Sequence, residues 1–174
     1  VLSARGSAVE ILFPNPFLRA PRILCSQQTT PCGAEGSIVG AWLEPDDTLV
    51  FADDAGNIYR GEGPYVPDVV PEGVTWTDLT GFGSVEVVAG IAAGSGILGF
   101  HDGSWTTQTV AEPVTMVAMG SASLAVAAGP AGAVYRFDGI GWTQVESGTT
   151  QDIVRVNMDS TGTIYAVTAD GQAL

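Results

Sequence analysis

The sequence predicts an all-β fold, and three observations carry this prediction. Glycine occupies 23 of 174 positions. β-Branched and aromatic residues form short clusters separated by Gly, Asp or Asn, which is typical of short strands joined by tight turns. No segment shows the 3.6-residue amphipathic periodicity and the capping residues of a helix. One strand pattern recurs about every 40 residues, which is the length of one blade of a β-propeller. We therefore expect a β-propeller-like domain of about four short antiparallel blades, with a sandwich or solenoid as the alternative.

Four versions of the pattern fill residues 38–174. Each has a β-branched cluster, a second apolar stretch, and a turn ending in glycine that leads into a third strand. The aligned glycines, which lie 40, 36 and 39 residues apart, are Gly56, Gly96, Gly132 and Gly171. Because a single sheet of this size leaves both faces uncovered, we expect the units to stack face to face.

A tryptophan followed by threonine closes each of the first three units, at Trp76, Trp105 and Trp142. Their recurrence predicts a structural role in packing between blades. In this alignment the second unit is shortened, since only 11 residues separate its first cluster from its glycine, against 18 in the other units. Trp42 breaks the pattern, because it lies on the predicted innermost strand of the first unit, where it either packs in the core or stacks on a ligand.

One segment of the third repeat resembles a known family. The run Asp138-Gly139-Ile140-Gly141-Trp142, followed by Ser-Gly-Thr-Thr, is similar to the repeat of bacterial exported β-propeller proteins, including photosystem II assembly-factor-like propellers. The first unit also resembles tectonin-type lectin repeats. The resemblance covers residues 38–174 and implies the propeller fold rather than a particular activity.

The chain divides into an N-terminal extension, residues 1–37, and the repeat domain, residues 38–174. The fourth unit ends after the start of its third strand. We expect the last blade to be completed by an N-terminal strand or by another chain, unless the chain forms part of a larger ring. The first residues lack the features of a signal peptide, so we expect a processed product or a piece of a longer chain.

The two cysteines, Cys25 and Cys32, lie in the N-terminal extension and bracket a six-residue loop. This spacing predicts a small disulfide ring, with two free thiols as the alternative. A disulfide favours an exported location, whether periplasmic, cell-surface or extracellular.

The charge pattern restricts the partners. The formal net charge is −13, the pI is near 4.1, and lysine is absent. Such an acidic surface repels phosphate backbones, so we expect no nucleic acid partner. The longest apolar run, residues 87–100, is too short and too rich in glycine for a membrane span.

Candidate catalytic groups are few. His101 and Asp102 adjoin, but neighbours on a strand point to opposite faces, so this pair does not form a catalytic dyad. The carboxylates at Asp46 and Asp53 lie in predicted turns and lack the residue order of a calcium loop. We therefore expect no enzyme activity, no catalytic residues, no metal and no cofactor. A carboxylate-based hydrolase or lyase would instead require a channel-facing pair drawn from these acids and Asp138.

The best candidate for partner binding is the Pro- and Gly-rich loop of residues 61–73, which occurs in the first unit only. We expect Tyr65, Asp68 and Glu72 of this loop, together with Trp42, to contact a ligand or partner. The sequence thus predicts a non-catalytic extracellular or surface module for protein–protein interaction or assembly. A carbohydrate-binding lectin is the alternative, because Tyr and Arg recur in phase on the third strands, and a carboxylate-based hydrolase or lyase is the second alternative.

Overall fold

The computed structural model describes residues 33–61, 65–68 and 70–174, together with the backbone of three N-terminal strands. These strands pair antiparallel in one sheet, the N-terminal sheet, in the order β1 (Leu2–Arg5), β2 (Ala8–Ile11), β3 (Arg22–Ser26). Cys32 and the side chain of Cys25 lie outside the described residues, so the disulfide stays a prediction.

Blades 1 and 2 are four-stranded antiparallel sheets in which strand order follows chain order. Blade 1 contains β4 (Ile38–Leu43), β5 (Leu49–Asp53), β6 (Ile58–Gly61) and β7 (Val66–Pro67). Blade 2 contains β8 (Thr75–Phe82), β9 (Val85–Ala92), β10 (Ser95–His101) and β11 (Trp105–Val110).

Blade 3 repeats this arrangement, and blade 4 has two strands. Blade 3 contains β12 (Met116–Ser121), β13 (Leu124–Ala128), β14 (Val134–Phe137) and β15 (Trp142–Gln144). Blade 4 contains β16 (Ile153–Met158) and β17 (Ile164–Thr168), beside which Ala173 pairs with Val167 as the beginning of a third strand. A single 3₁₀ turn, Pro130–Gly132, joins β13 to β14.

The first strands of consecutive blades lie side by side. β4 packs against β8, β8 against β12 and β12 against β16, while β1 of the N-terminal sheet packs against β4. The innermost strands of successive sheets are therefore neighbours, as in the blades of a propeller. The predicted all-β, propeller-like class with about four short antiparallel blades is confirmed.

The phase of the repeat differs from the sequence alignment at its second unit. Trp76 does not close blade 1; it lies on β8, the innermost strand of blade 2, opposite Gly90. Trp105 and Trp142 are the first residues of the outermost strands β11 and β15 and are equivalent to each other. Blade 2 thus has a complete first hairpin, β8–β9, and the predicted shortening of the second unit is wrong.

The insertion at residues 61–73 also has a structural role that the sequence did not indicate. Its residues Val66 and Pro67 form β7, which pairs with Tyr59 and Arg60 of β6. Blade 1 therefore takes its outermost strand from the loop that the alignment treated as dispensable to the blade.

The N-terminal strands hydrogen-bond to one another, and the described pairings place none of them beside β16 or β17. Completion of the last blade by an N-terminal strand therefore stays a prediction without support from these pairings. Within the described residues, no helix has the length and apolar character that a membrane crossing requires.

Blades 1 to 3 bury apolar side chains on both faces, because successive residues of a strand point to opposite faces and both sets of positions are apolar. Val50, Ala52 and Ile58 of blade 1 join a core with blade 2, whereas Leu49 and Phe51 face the opposite side. Similar cores lie between blades 2 and 3 and between blades 3 and 4. The main apolar cores are therefore the seams between sheets.

Polar side chains add specific links across the seams. The half-buried carboxylate of Asp78 on β8 accepts a hydrogen bond from the backbone N–H of Val117 on β12, at 3.0 Å. The amide of Gln108 on β11 binds both backbone groups of Trp142 on β15, at 2.9 and 3.0 Å. These bonds fix blade 3 against blade 2 at the inner and the outer strands.

We predict that Trp76→Ala lowers the free energy of unfolding by about 3–5 kcal/mol. The ring of Trp76 is fully buried in the seam between blades 1 and 2, and its indole N–H donates to the carbonyl of Gly56 at 3.0 Å. Urea denaturation followed by circular dichroism measures the loss. Ile140→Ala is the control, because that side chain is 94% exposed and should change stability by less than about 0.5 kcal/mol. Equal losses in the two variants would contradict the packing described here.

Candidate functional site: a charged cluster between blades 1 and 2

A cluster of charged side chains lies at the seam between blades 1 and 2. Its centre is Arg60 on β6, whose guanidinium contacts the carboxylates of Glu44, Asp68 and Glu86. Nη2 lies 2.7 Å from Glu86 Oε2 and Nε lies 3.4 Å from Asp68 Oδ2, while Nη1 donates to Glu44. With His101, these residues are named the seam cluster below.

The strand order brings the cluster to one end of the two blades. Glu44 directly follows β4, and Arg60 lies near the end of β6. In blade 2, Glu86 lies near the start of β9 and His101 ends β10, so antiparallel pairing places them directly opposite each other. Asp68 follows β7 and closes the cluster from the outer side.

A row of three cross-strand neighbours in blade 2 contributes to the cluster. His101 pairs with Glu86 on one side and with Trp105 on the other. The rings of His101 and Trp105 lie 5.1 Å apart, and His101 Nδ1 lies 2.9 Å from Glu86 Oε2. The indole N–H of Trp105 donates to Asp68 Oδ2 at 2.9 Å, so this row, the polar row, is tied to blade 1.

Blade 3 has apolar residues at the positions of the polar row. There Phe137 pairs with Ala125 and with Trp142, in the same register. The position of Arg60 in blade 1 corresponds to Phe100 in blade 2, whose ring packs on Phe137 with centroids 4.4 Å apart. The fold is therefore satisfied by apolar residues at these sites, and the charges at the seam of blades 1 and 2 are an addition to it.

The environment of Glu86 opposes its ionisation. The side chain is fully buried, and this burial raises its pKa from an ordinary value of 4.5 to about 7; Arg60 lowers the pKa and the neighbouring Glu44 raises it. Its second oxygen, Oε1, is buried and has no hydrogen-bond partner among the described residues. A single guanidinium thus faces three carboxyl groups, one of which readily holds a proton near neutral pH.

The pKa values of His101 and Arg60 are shifted by the same surroundings. Burial and the positive charge of Arg60 lower the pKa of His101, which favours the neutral imidazole. Burial alone would lower the pKa of Arg60, but the hydrogen bond and the charge of Glu86 raise it above its ordinary value. Arg60 is therefore the permanent cation of the site.

The structure brings one of the four predicted partner-binding residues into the cluster, namely Asp68. The rings of Tyr65 and Phe51 pack edge to face, with their centroids 5.2 Å apart. Glu72 is exposed in the turn before β8. Trp42 is half-buried beside β8, where its indole N–H donates to the carbonyl of Gly83 at 2.8 Å. Partner contacts at these residues stay predictions.

The acids considered for catalysis do not converge. Asp46, Asp102 and Asp138 are exposed at turns, and backbone N–H groups of Ile140 and Gly141 lower the pKa of Asp138. Asp53 is buried, but its carboxylate accepts hydrogen bonds from backbone N–H groups before β4 and in the turn after β5, and from the hydroxyl of Tyr59 on β6. In the described part of the chain, no three His, Cys, Asp or Glu side chains are arranged to hold a metal ion.

Glu44 and Glu86 were not among the site residues predicted from the sequence. The signal for Glu86 is its position, since it is the one charged residue in the otherwise uncharged run of residues 85–100. A charge on a strand predicted to be buried on both faces requires a partner. Arg60 was noted for its in-phase recurrence with Arg136, yet Arg136 is exposed and Arg60 is not.

No protein-family model and no curated protein matches the sequence. Solved structures match the fold, and the Dos1 propeller aligns with a TM-score of 0.65 at 16% identity, over 96% of this chain and 51% of Dos1. YCF48 bound to D1 peptide aligns with a TM-score of 0.57 at 13% identity, over 77% of this chain and 48% of that one.

A catalytically inactive histidine-to-alanine variant of virginiamycin B lyase from Staphylococcus aureus, with quinupristin, aligns with a TM-score of 0.66 at 9% identity. That match covers 96% of this chain and 61% of the lyase. The fold is a β-propeller. This chain spans about half to three-fifths of the length of the propellers it matches. Because the sequence identities are low, the likeness concerns the fold alone.

We predict that Glu86→Gln flattens the pH dependence of stability between about pH 4.5 and 7. The folded-state pKa of Glu86 is raised, so its contribution to stability is complete below the unfolded pKa and is lost as the pH rises through about 7. His101 acts in the opposite sense, because its lowered pKa costs stability as the pH falls below its ordinary value of 6.5. Melting temperatures measured from pH 4 to 8 isolate the Glu86 contribution as the difference between the variant and the original chain.

The exposed Glu146 provides the matched control, since Glu146→Gln should leave the pH profile unchanged. A Glu86→Gln profile parallel to that of the original chain would show that the buried carboxyl does not hold the extra proton.

We also predict that Asp53→Ala lowers stability by about 1–3 kcal/mol, and that calcium does not shift the melting temperature of the original chain. The carboxylate of Asp53 accepts backbone N–H groups of Glu35, Gly36 and Asn57 at 2.8–3.2 Å, which leaves little room for a metal. Thermal denaturation with and without calcium tests both statements. Asp102→Ala is the exposed control, and a calcium-dependent stabilisation abolished by Asp53→Ala would restore the metal hypothesis.

Proposed function

We propose that this chain is a non-catalytic binding module that recognises a protein partner and serves in assembly. The observation that carries the proposal is the seam cluster, where charged residues replace apolar ones that the same fold uses at the next seam. Charges that a fold does not need are candidates for recognition. The likeness of the chain to YCF48 bound to D1 peptide supports the proposal by showing a peptide bound to a propeller of similar fold.

The charge of the chain supports a basic partner. The formal net charge is −13, and the seam cluster holds three carboxyl groups to one guanidinium. A field of this sign attracts basic surfaces and speeds their association at low ionic strength. We expect a basic segment of a protein to bind at the end of blades 1 and 2 that carries the seam cluster.

The solvent-accessible members of the cluster define where contact begins. The side chains of Asp68 and Arg60 are 27% and 22% exposed, whereas those of Glu44 and Glu86 are 9% and 0% exposed. Glu72 and the half-buried Tyr65, from the same β6–β8 connection, provide further candidate contacts. The partner thus meets Asp68 first and the buried carboxyls behind it.

We further propose that the module is exported and acts at a cell surface, in a periplasm or outside the cell. The spacing of Cys25 and Cys32, which fits a small disulfide ring, supports this location. An intact mass two hydrogens below that of the reduced chain would support it, and two free thiols in material from an oxidising compartment would count against it.

We predict that a library of short peptides of graded charge, presented to the full chain, yields basic sequences. Their affinity should fall as salt rises from about 50 to 300 mM, because surface attraction is screened. The double variant Glu44→Gln, Asp68→Asn should weaken binding by about ten-fold or more, whereas Glu146→Gln should not. A parallel glycan array separates the lectin alternative.

Three results would overturn the proposed function: glycan binding without peptide binding, selection of acidic peptides, or no selection from the library. Circular dichroism of each variant establishes that it is folded before its affinity is compared.

A second candidate, lyase or hydrolase chemistry, is favoured by one observation. Glu86 and His101 form a buried acid–base pair at 2.9 Å, and the raised pKa of Glu86 lies near neutral pH. One propeller of similar fold is a lyase. Turnover of ester or lactone substrates by the original chain, abolished in His101→Ala, would favour this candidate over the binding module.

A further inference from the structure

The seam cluster is short of positive charge. Arg60 is its only cation, and its guanidinium nitrogens are shared among Glu44, Asp68 and Glu86. Burial and the positive charge of Arg60 lower the pKa of His101, which favours its neutral form. When all three carboxyls are ionised, two negative charges in a largely buried site are therefore left without an opposite charge.

One oxygen of the site has no hydrogen-bond donor when Glu86 is ionised. Glu86 is fully buried, its Oε2 faces Arg60 and His101, and its Oε1 has no hydrogen-bond partner among the described residues. A buried carboxylate oxygen without a partner costs free energy, whereas a donor that reaches it recovers that cost. The atom thus points to a ligand group that donates hydrogen bonds.

We propose that the seam cluster is a recognition site for an arginine side chain of the protein partner. The inference deepens the proposed function and rests on it, since it names the group of the partner that the site binds. The incoming guanidinium meets the exposed edge of Asp68 and supplies the second positive charge that the three carboxyls lack. Because the Glu86 side chain has no exposed surface in the free chain, the guanidinium donates to it only after the side chains around Glu86 shift on binding.

The chemistry of the site favours guanidinium over other ligands. Three carboxyls repel anions, and no group in the described residues is arranged to hold a metal ion. A guanidinium is planar, carries five donors and pairs with carboxylates in a fork, which an ammonium does not. Arg60 shows that carboxylates of this seam hold a guanidinium, and the half-buried ring of Trp105 is a surface on which a second one stacks.

Binding of a cation changes the proton held by the site. Glu86 contacts Arg60 on β6 and His101 on β10, and Glu44 beyond β4 raises its pKa. Asp68 beyond β7 contacts the same guanidinium. A second guanidinium favours the ionised form of Glu86, so binding releases a proton when the pH lies below the free-state pKa. Affinity for arginine should therefore rise between pH 6 and pH 8, a range in which arginine itself does not titrate.

The experiment uses the full chain and two blocked five-residue peptides, one with a central arginine and one with citrulline in its place. Citrulline keeps the shape of the side chain and removes its charge. Calorimetric titration at pH 6, 7 and 8 should give about ten-fold tighter binding of the arginine peptide, with proton release visible as a dependence of the heat on the buffer. Glu86→Gln and Asp68→Asn should each reduce the arginine preference at least five-fold, and Glu146→Gln should leave it unchanged.

The pH series keeps the test decisive if Glu86→Gln fails to fold, because it is measured on the original chain. Equal affinity for arginine and citrulline peptides overturns the proposed site, and so does an arginine preference that survives in Glu86→Gln or shows no pH dependence. If the library yields peptides that bind without arginine, the site is overturned while the proposed function stands. If it yields no peptides, the proposed function fails as well.

Discussion

The structure depends on one constraint: a four-stranded sheet that is apolar on both faces can bury neither face by itself. Each blade therefore relies on its neighbours: Val50 and Ile58 of blade 1 are buried only because blade 2 covers them, and Leu49 is buried from the other side. The apolar contacts that stabilise the fold therefore lie mainly between the sheets, at the seams. Any change in the character of a seam is consequently a change in how two blades are held together.

Against that constraint, the seam between blades 1 and 2 is a costly exception. At the seam of blades 2 and 3, Phe100 packs on Phe137, and the rings need no further partner. At the corresponding place, Arg60 and Glu86 require mutual pairing and give up their hydration. Replacing a buried ion pair by well-packed apolar residues is often neutral or stabilising. Stability thus gives no reason for these charges, and this is why we propose recognition as their role.

The sequence predicted the fold class well because its signals are local. Turn glycines and β-branched clusters report each hairpin, and the spacing near 40 residues reports the blade. It misplaced Trp76 because the alternation within a strand does not say to which sheet the strand belongs. β8 follows the long 61–73 connection, so its tryptophan was counted with the strand before it. The same ambiguity concealed β7, whose two residues are too few to show any period.

The candidate site was harder to foresee, because its members converge only through pairing across strands and between blades. Asp68 was predicted because its loop occurs in only one repeat. Its hydrogen-bond partners Arg60 and Trp105 could not be predicted in the same way, because they lie 8 and 37 residues away in the sequence. His101 was weighed against its neighbour Asp102, whereas the register places it opposite Glu86. Once the register is known, comparison of equivalent positions isolates the site: Glu86 stands where blade 3 has Ala125, and His101 where it has Phe137. In a repeat fold, residues of one blade can differ in chemistry from the equivalent residues of the next blade and still occupy the same positions in the sheet. Packing does not explain such residues, so they are the first candidates for a functional site.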